Sequence, residues 1–206
     1  MPASLTHIAY ALTYRRRRPD DLDEAGLLRG TIFPDVRRAA GIERDLTHRL
    51  GVALAEVDSE TDAWQAGWLL HSHLDPVWNE FFWSRGLAPD KVMNQLTWRA
   101  LKMAEDILVF EQILPEERVR LAKIFEAPLG REELESPAPA EAVRAWYDFT
   151  AWRLREPYEA ASWIRRLPAV GESAEVARKL APLIEQYRRD PAWQERLHEL
   201  HRELGM

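Results

Sequence analysis

The sequence predicts an all-α protein, a multi-helix orthogonal bundle built around one central apolar helix. Three observations carry this expectation. Apolar residues recur at three- and four-residue spacing along most of the 206 positions. No segment shows sustained apolar–polar alternation, so no strand is predicted. The stretch from Thr61 to Trp83 is apolar and aromatic nearly all round, as a helix is when others enclose it.

Each element has a local reason. Ser4 caps a first helix that carries Leu5, Ile8, Ala9 and Leu12 at helical spacing and also holds His7. A short second helix runs from Asp20 to Leu28 and is stopped by Gly30. Thr31 to Arg44, with its Phe33-Pro34-Asp35 turn and Gly41, reads as an irregular connection. A short helix over about residues 43–54 carries His48. The central helix begins at Thr61-Asp62, meets Pro76 and continues through Trp78 and Phe81 to Trp83. Helices follow over about residues 91–113 and from Pro115 to near Phe125. Pro128, Gly130, Pro137 and Pro139 mark residues 127–140 as a linker. Helical segments over residues 140–154, up to Leu167, over 173–189 and over 191–204 complete the chain. The expected division is a helical core over 1–126, the linker, and a C-terminal helical segment over 141–206 packed on that core.

Composition narrows the function classes. The chain has 46% hydrophobic and 30% charged residues, an ordinary globular balance. Its net charge of -6 argues against nucleic acid as a partner, because phosphate backbones need a basic surface. The basic run Arg15–Arg18 is followed by Asp20, Asp21, Asp23 and Glu24 and reads as a solvated helix end. The absence of cysteine removes disulfides and thiol catalysis. No secretory signal is visible and no stretch reaches the ~18 apolar residues of a membrane span, so a soluble cytoplasmic protein is expected. Nine tryptophans should anchor the core or line a cleft, each buried indole needing a partner for its N–H. Four lysines against 24 arginines read as genome bias or heat adaptation and point to no function.

The candidate chemistry lies in the first 75 residues. His7, Asp35, His48, His71 and Asp75 are imidazole and carboxylate groups of the kind that hold zinc, manganese, iron or nickel. His71 and Asp75 are four apart, which on a helix places both on one face. His73, two from each, points away. Asp75 also precedes Pro76, so it equally suits the cap of a new helix that need not face with His71. Asp35 equally suits a turn. The inference rests on the five together. His198 and His201 on the last helix read as ordinary amphipathic positions.

In this order the five residues resemble the zinc-dependent phospholipase C family and its bacterial relatives. The matching segments are Leu5-Thr6-His7, Gly30-Thr31-Ile32-Phe33-Pro34-Asp35, Leu46-Thr47-His48 and Gly67-Trp68-Leu69-Leu70-His71-Ser72-His73-Leu74-Asp75, and the resemblance covers roughly residues 1–85. It implies an all-α fold related to phospholipase C and P1 nuclease. It implies that His48, His71 and Asp75 bind one metal, with Asp75 reaching towards a second held with His7 and the amino terminus. Asp35 would sit against the metal-bound water as ligand or base. The implied cofactor is a divalent metal, zinc first, with manganese, iron or nickel as alternatives.

Two features depart from the family pattern. No histidine lies between His73 and His198, where the family has two more and a glutamate, and the chain begins Met1-Pro2 rather than at a processed tryptophan. One or two metals are therefore expected, with Glu80, Glu105 or Asp106 as replacement ligands or, for the last two, as a solvated face. The resulting expectation is a metal-dependent hydrolase of phosphoesters, in which Asp35 activates a water against a small phosphorylated substrate. One alternative is a non-catalytic helical protein of the same scaffold, serving interaction or homo-oligomerisation through Trp64, Trp68, Trp78 and Trp83. Another is a protein like the all-α HD-type phosphohydrolases. These need an adjacent His-Asp pair, which neither His71 nor His73 provides.

Overall fold

The computed structural model describes residues 4–18, 22–85, 95–171 and 173–206, and these are helical with no strand. The α-helices are α1 (Ser4–Arg17), α2 (Glu24–Ile32), α3 (Arg37–Ala40), α4 (Leu54–Ser59), α5 (Ala63–Ser84) and α6 (Gln95–Gln112). They continue as α7 (Pro115–Glu126), α8 (Arg131–Leu134), α9 (Ala140–Arg155), α10 (Ala160–Arg166), α11 (Ala174–Arg189) and α12 (Pro191–Leu204). Tight 3-10 turns cover Phe33–Val36, Arg44–Leu46 and Leu167–Val170. The proposed helix starts at Asp20 and near residue 91 lie outside the described residues.

Several ends follow from their caps. Asp23 accepts from the Gly26 N–H at 2.7 Å and starts α2, and Asp62 accepts from Gln65 at 2.8 Å and starts α5. Ser173 and Asp190 do the same for α11 and α12, and α12 ends on Gly205 at φ 69°. The start of α1 is closed from far away: Asp106 on α6 accepts from the N–H groups of Leu5 at 2.9 Å and Thr6 at 3.2 Å. Arg153 on α9 pairs with Asp106 and donates to Ser4 Oγ at 2.7 Å. Arg18 is engaged rather than merely solvated, since it donates to the carbonyls of Val57, Asp58 and Glu60 at the end of α4.

The central element is α5, packed on α2. The two helices touch through glycine. A Cβ on Gly67 would stand 2.1 Å from the Leu27 carbonyl oxygen, and one on Gly30 would stand 2.0 Å from that of Trp64. Gly30 therefore does not end α2, which continues to Ile32; it is there because another backbone fills the space a side chain would need. Pro76 lies inside α5 without ending it, so Asp75 is a helical residue and not the cap of a separate helix. The helix expected over residues 43–54 is absent: His48 lies in a loop between the Arg44–Leu46 turn and α4.

Around this crossing the buried apolar residues form one cluster reaching from Leu5 to Leu204. Two core indoles find acceptors: Trp146 Nε1 donates to the Ile32 carbonyl and Trp78 Nε1 to Glu105 Oε2, both at 2.9 Å. Of the four tryptophans considered as an outer face, only Trp83 is exposed. Between α7 and α9, Glu133 is buried against Arg29 at 2.9 Å and the Tyr147 hydroxyl at 3.2 Å.

Replacing Gly67 with alanine should cost about 3 kcal/mol in urea unfolding, as overpacking against backbone does. Gly41, at φ 65° with open space around it, should lose only the left-handed penalty of about 1 kcal/mol when made alanine. Equal stabilities for the Gly67 variant and the parent would show that the close crossing does not exist.

Candidate metal centre

The five proposed residues meet at one place. α1 supplies His7, the 3-10 turn after α2 supplies Asp35, the loop before α4 supplies His48, and α5 supplies His71 and Asp75. All five are buried. Two triads have one ligating atom each within 4.8 Å of one another, His7–His71–Asp75 and Asp35–His48–His71, so His71 belongs to both. His71 and Asp75 share a face of α5 at 3.8 Å. His7 stacks on His71 with ring centroids 4.1 Å apart and places Nε2 3.7 Å from Asp75 Oδ1.

A hydrogen bond to a carbonyl assigns the tautomer of His71. The Thr31 carbonyl lies 2.8 Å from His71 Nδ1 and can only accept, so Nδ1 carries the proton and Nε2 the lone pair. The Thr47 hydroxyl lies 3.3 Å from the Arg44 carbonyl and 3.0 Å from His48 Nδ1. With its proton on the carbonyl, the hydroxyl accepts from Nδ1–H and leaves His48 Nε2 bare; with its proton on Nδ1, His48 Nε2–H donates to His71 Nε2. The two Nε2 atoms face each other at 3.2 Å, and Asp75 Oδ2 stands 3.6 Å from that of His48. Donors bound at about 2.1 Å to one tetrahedral ion lie about 3.4 Å apart, so the spacing suits a shared cation. Carbonyl and hydroxyl partners behind the rings are what metal-binding histidines ordinarily have.

The charge states agree. Burial, reinforced by His71, lowers the His48 pKa to about 3. Burial, with His7 adding to it, holds His71 well below the ordinary imidazole value. For Asp75 burial acts to raise the carboxyl, but His71, His7 and Lys102 outweigh it and keep the group ionised. Asp35 accepts no hydrogen bond from a described residue, and its Oδ2 is shut off from solvent. A buried carboxyl oxygen left without a hydrogen-bond partner is a place that a cation would satisfy. Neutral imidazoles and carboxylates are together a hard-to-borderline donor set that can hold a divalent metal ion.

Other candidates lie elsewhere. Glu80 is exposed, and His73 Nδ1–H donates to the Val52 carbonyl at 3.1 Å, away from the cluster. Glu105 and Asp106 are neither ligands nor a solvated face: both are buried, Glu105 held by Trp78 and His201, Asp106 by the start of α1. His201 is likewise buried, 3.1 Å from Glu105, while His198 is exposed. Sequence reasoning missed Arg44, whose Nη2 donates to Asp75 Oδ2 at 2.5 Å, and Lys102, buried on α6. For Lys102 a signal existed. Ala100, Leu101, Met103, Ala104, Ile107 and Leu108 leave α6 no solvated side. Comparison with known proteins returns nothing: no family model, no curated protein and no solved structure matches the chain.

A depressed histidine pKa has a definite sign. Between the folded value of about 3 and the ordinary 6.5, His48 is protonated when unfolded and neutral when folded. The unfolded state then binds more protons, so stability of the chelated protein should rise with pH across that window, by up to about 1.4 kcal/mol per pH unit for each such group. Urea midpoints measured from pH 4 to pH 7 should show this slope, and His48→Gln should flatten it.

Proposed function

We propose that the chain is a metal-dependent hydrolase of phosphoesters. The observation that carries the reading is the convergence of His48 and His71, Nε2 to Nε2 at 3.2 Å, with two buried carboxylates beside them. His48, His71 and Asp75 would hold the ion, with His7 beside Asp75. Three nitrogen and oxygen donors with no sulfur match catalytic zinc, which keeps a position open for water. Such an ion brings the acidity of a bound water towards neutrality and polarises a phosphoryl oxygen.

The remaining work falls to the protein. Asp35, adjoining His48 and His71, would take the proton of the attacking water. The Thr31 carbonyl and Thr47 hydroxyl keep both rings turned inward throughout. The apolar walls around α5 exclude bulk water and strengthen each charge interaction inside.

A second reading has its own observation. The Arg44 guanidinium, 2.5 Å from Asp75, is already a counter-cation, so the scaffold can be satisfied without an ion. Elemental analysis of protein purified without chelator separates the two. The hydrolase reading expects near-stoichiometric metal, lost in His71→Ala, and a melting temperature that drops on chelation because metal binding is coupled to folding. Absence of metal in both samples, even after reconstitution, would retire it. Asp35→Asn should keep the fold and lower turnover of a chromogenic phosphoester about 100-fold or more.

A further inference from the structure

One contact inside the cluster competes with the use proposed for it. Asp75 Oδ2 faces both rings, 3.6 Å from His48 Nε2 and 3.8 Å from His71 Nε2. The other oxygen, Oδ1, has His7 Nε2 3.7 Å away instead. An ion shared with His48 and His71 therefore calls on Oδ2. Arg44 Nη2 already sits on that oxygen, at 2.5 Å. Two cations on one carboxylate oxygen repel at short range, and more strongly where water is kept out. Burial does most to keep both rings neutral, and the Arg44 charge acts in the same direction on each. The guanidinium thus does part of what a metal ion would do here, neutralising Asp75 and opposing protonation of the rings.

Arg44 is anchored through its backbone and held at one point through its side chain. Its carbonyl accepts from the Thr47 N–H at 3.0 Å and from the His48 N–H at 2.9 Å, so the turn that begins at Arg44 also fixes the backbone of His48. Among the described residues the guanidinium hydrogen-bonds only to Asp75. The Arg44 side chain is 46% exposed, against 8% for that of Asp75. Rotation about its side-chain bonds can carry the guanidinium into water without moving His48.

We propose that Arg44 is a displaceable counter-cation of the metal centre, which neutralises Asp75 while no metal is bound and swings out to solvent when a divalent ion is taken up. The proposal rests on the metal centre of the hydrolase reading and adds a means of regulating it. Every ion that enters must break the Arg44–Asp75 contact, so affinity is lower than the ligands alone would give. In return the metal-free protein never holds Asp75 as a buried charge without a partner, a state that is strongly destabilising.

The test is zinc titration of the chelator-stripped full chain against a competing chromogenic chelator, for the parent and Arg44→Gln, with His71→Ala marking zinc held elsewhere. Arg44→Gln should bind zinc about tenfold tighter or more, a coupling of ordinary size between two mutually exclusive cations. Without metal the variant should melt several degrees below the parent, because Asp75 loses its partner, and with zinc the gap should close. A residue that merely positioned Asp75 for the metal would have the opposite effect on affinity. Phenylglyoxal labelling of the parent, read by peptide mass spectrometry, covers a failure of Arg44→Gln to fold. Arg44 should react severalfold faster with zinc than without, while Arg49, 57% exposed on the same loop, should not change. Zinc affinity equal or lower in Arg44→Gln, or Arg44 labelled no faster with zinc, overturns the displacement. If the parent in that case still holds stoichiometric zinc that His71→Ala loses, the metal centre itself stands. Zinc held by neither the parent nor Arg44→Gln removes both. Zinc held by Arg44→Gln and not by the parent is the expected effect at its largest.

Discussion

Everything around the cluster depends on two side chains that are not there. Gly30 and Gly67 let α2 and α5 meet backbone to backbone. Thr31 follows Gly30 directly, and His71 lies one turn beyond Gly67, so the crossing brings the Thr31 carbonyl to 2.8 Å from His71 Nδ1. Thr31 also folds its hydroxyl back onto the Leu27 carbonyl at 2.7 Å, clear of the contact. Methyl groups at the crossing would separate the helices by more than a hydrogen bond can stretch. The orientation of the central imidazole is thus a product of helix packing and is not a choice made by the ring itself.

Desolvation then sorts the charges. Imidazoles taken out of water stay neutral, and His71 turns its lone pair inward, while Asp75 stays ionised because cationic and imidazole neighbours outweigh the cost of its burial. The outcome is an inner ring of acceptors surrounded by donors and cations, among them Arg44 and Lys102. Such layering concentrates field in a small volume, where the effective dielectric is low and each charge counts for more than it would in water.

The helical periodicity was enough to place most of the elements, since caps such as Asp62, Ser173 and Asp190 are local and act within three residues. What could not be read were features decided by distant parts of the chain. Gly30 looks like a terminator until Trp64 is seen against it. The segment holding His48 has helix-compatible residues, yet His48 bonds to Thr47, Trp68 donates to the Thr47 carbonyl and Ser72 accepts from Arg49, so α5 holds it as a loop. Pro76 suggests a break, but a single missing N–H is tolerated in a helix packed on several sides. The convergence of His7, Asp35, His48, His71 and Asp75 could be suggested by their order, whereas Arg44 carries no local signal. Glu105 and Asp106 were misplaced by a different route: an acidic pair suggests solvent until the apolar residues on every side of α6 are counted.

The cap on α1 has a consequence for how the chain is made. The first amides of the helix that carries His7 are closed by Asp106, itself steadied by Arg153. During synthesis from the amino terminus, His48, His71 and Asp75 emerge well before either of these partners. Until then α1 has α2 and α5 to pack against but bare amides at its start, so the first ligand to be synthesised sits on a helix whose end is closed late. The cluster is completed from its back end forwards, and a ribosome-bound chain that stops short of α9 carries all five residues without the clamp that aligns the first.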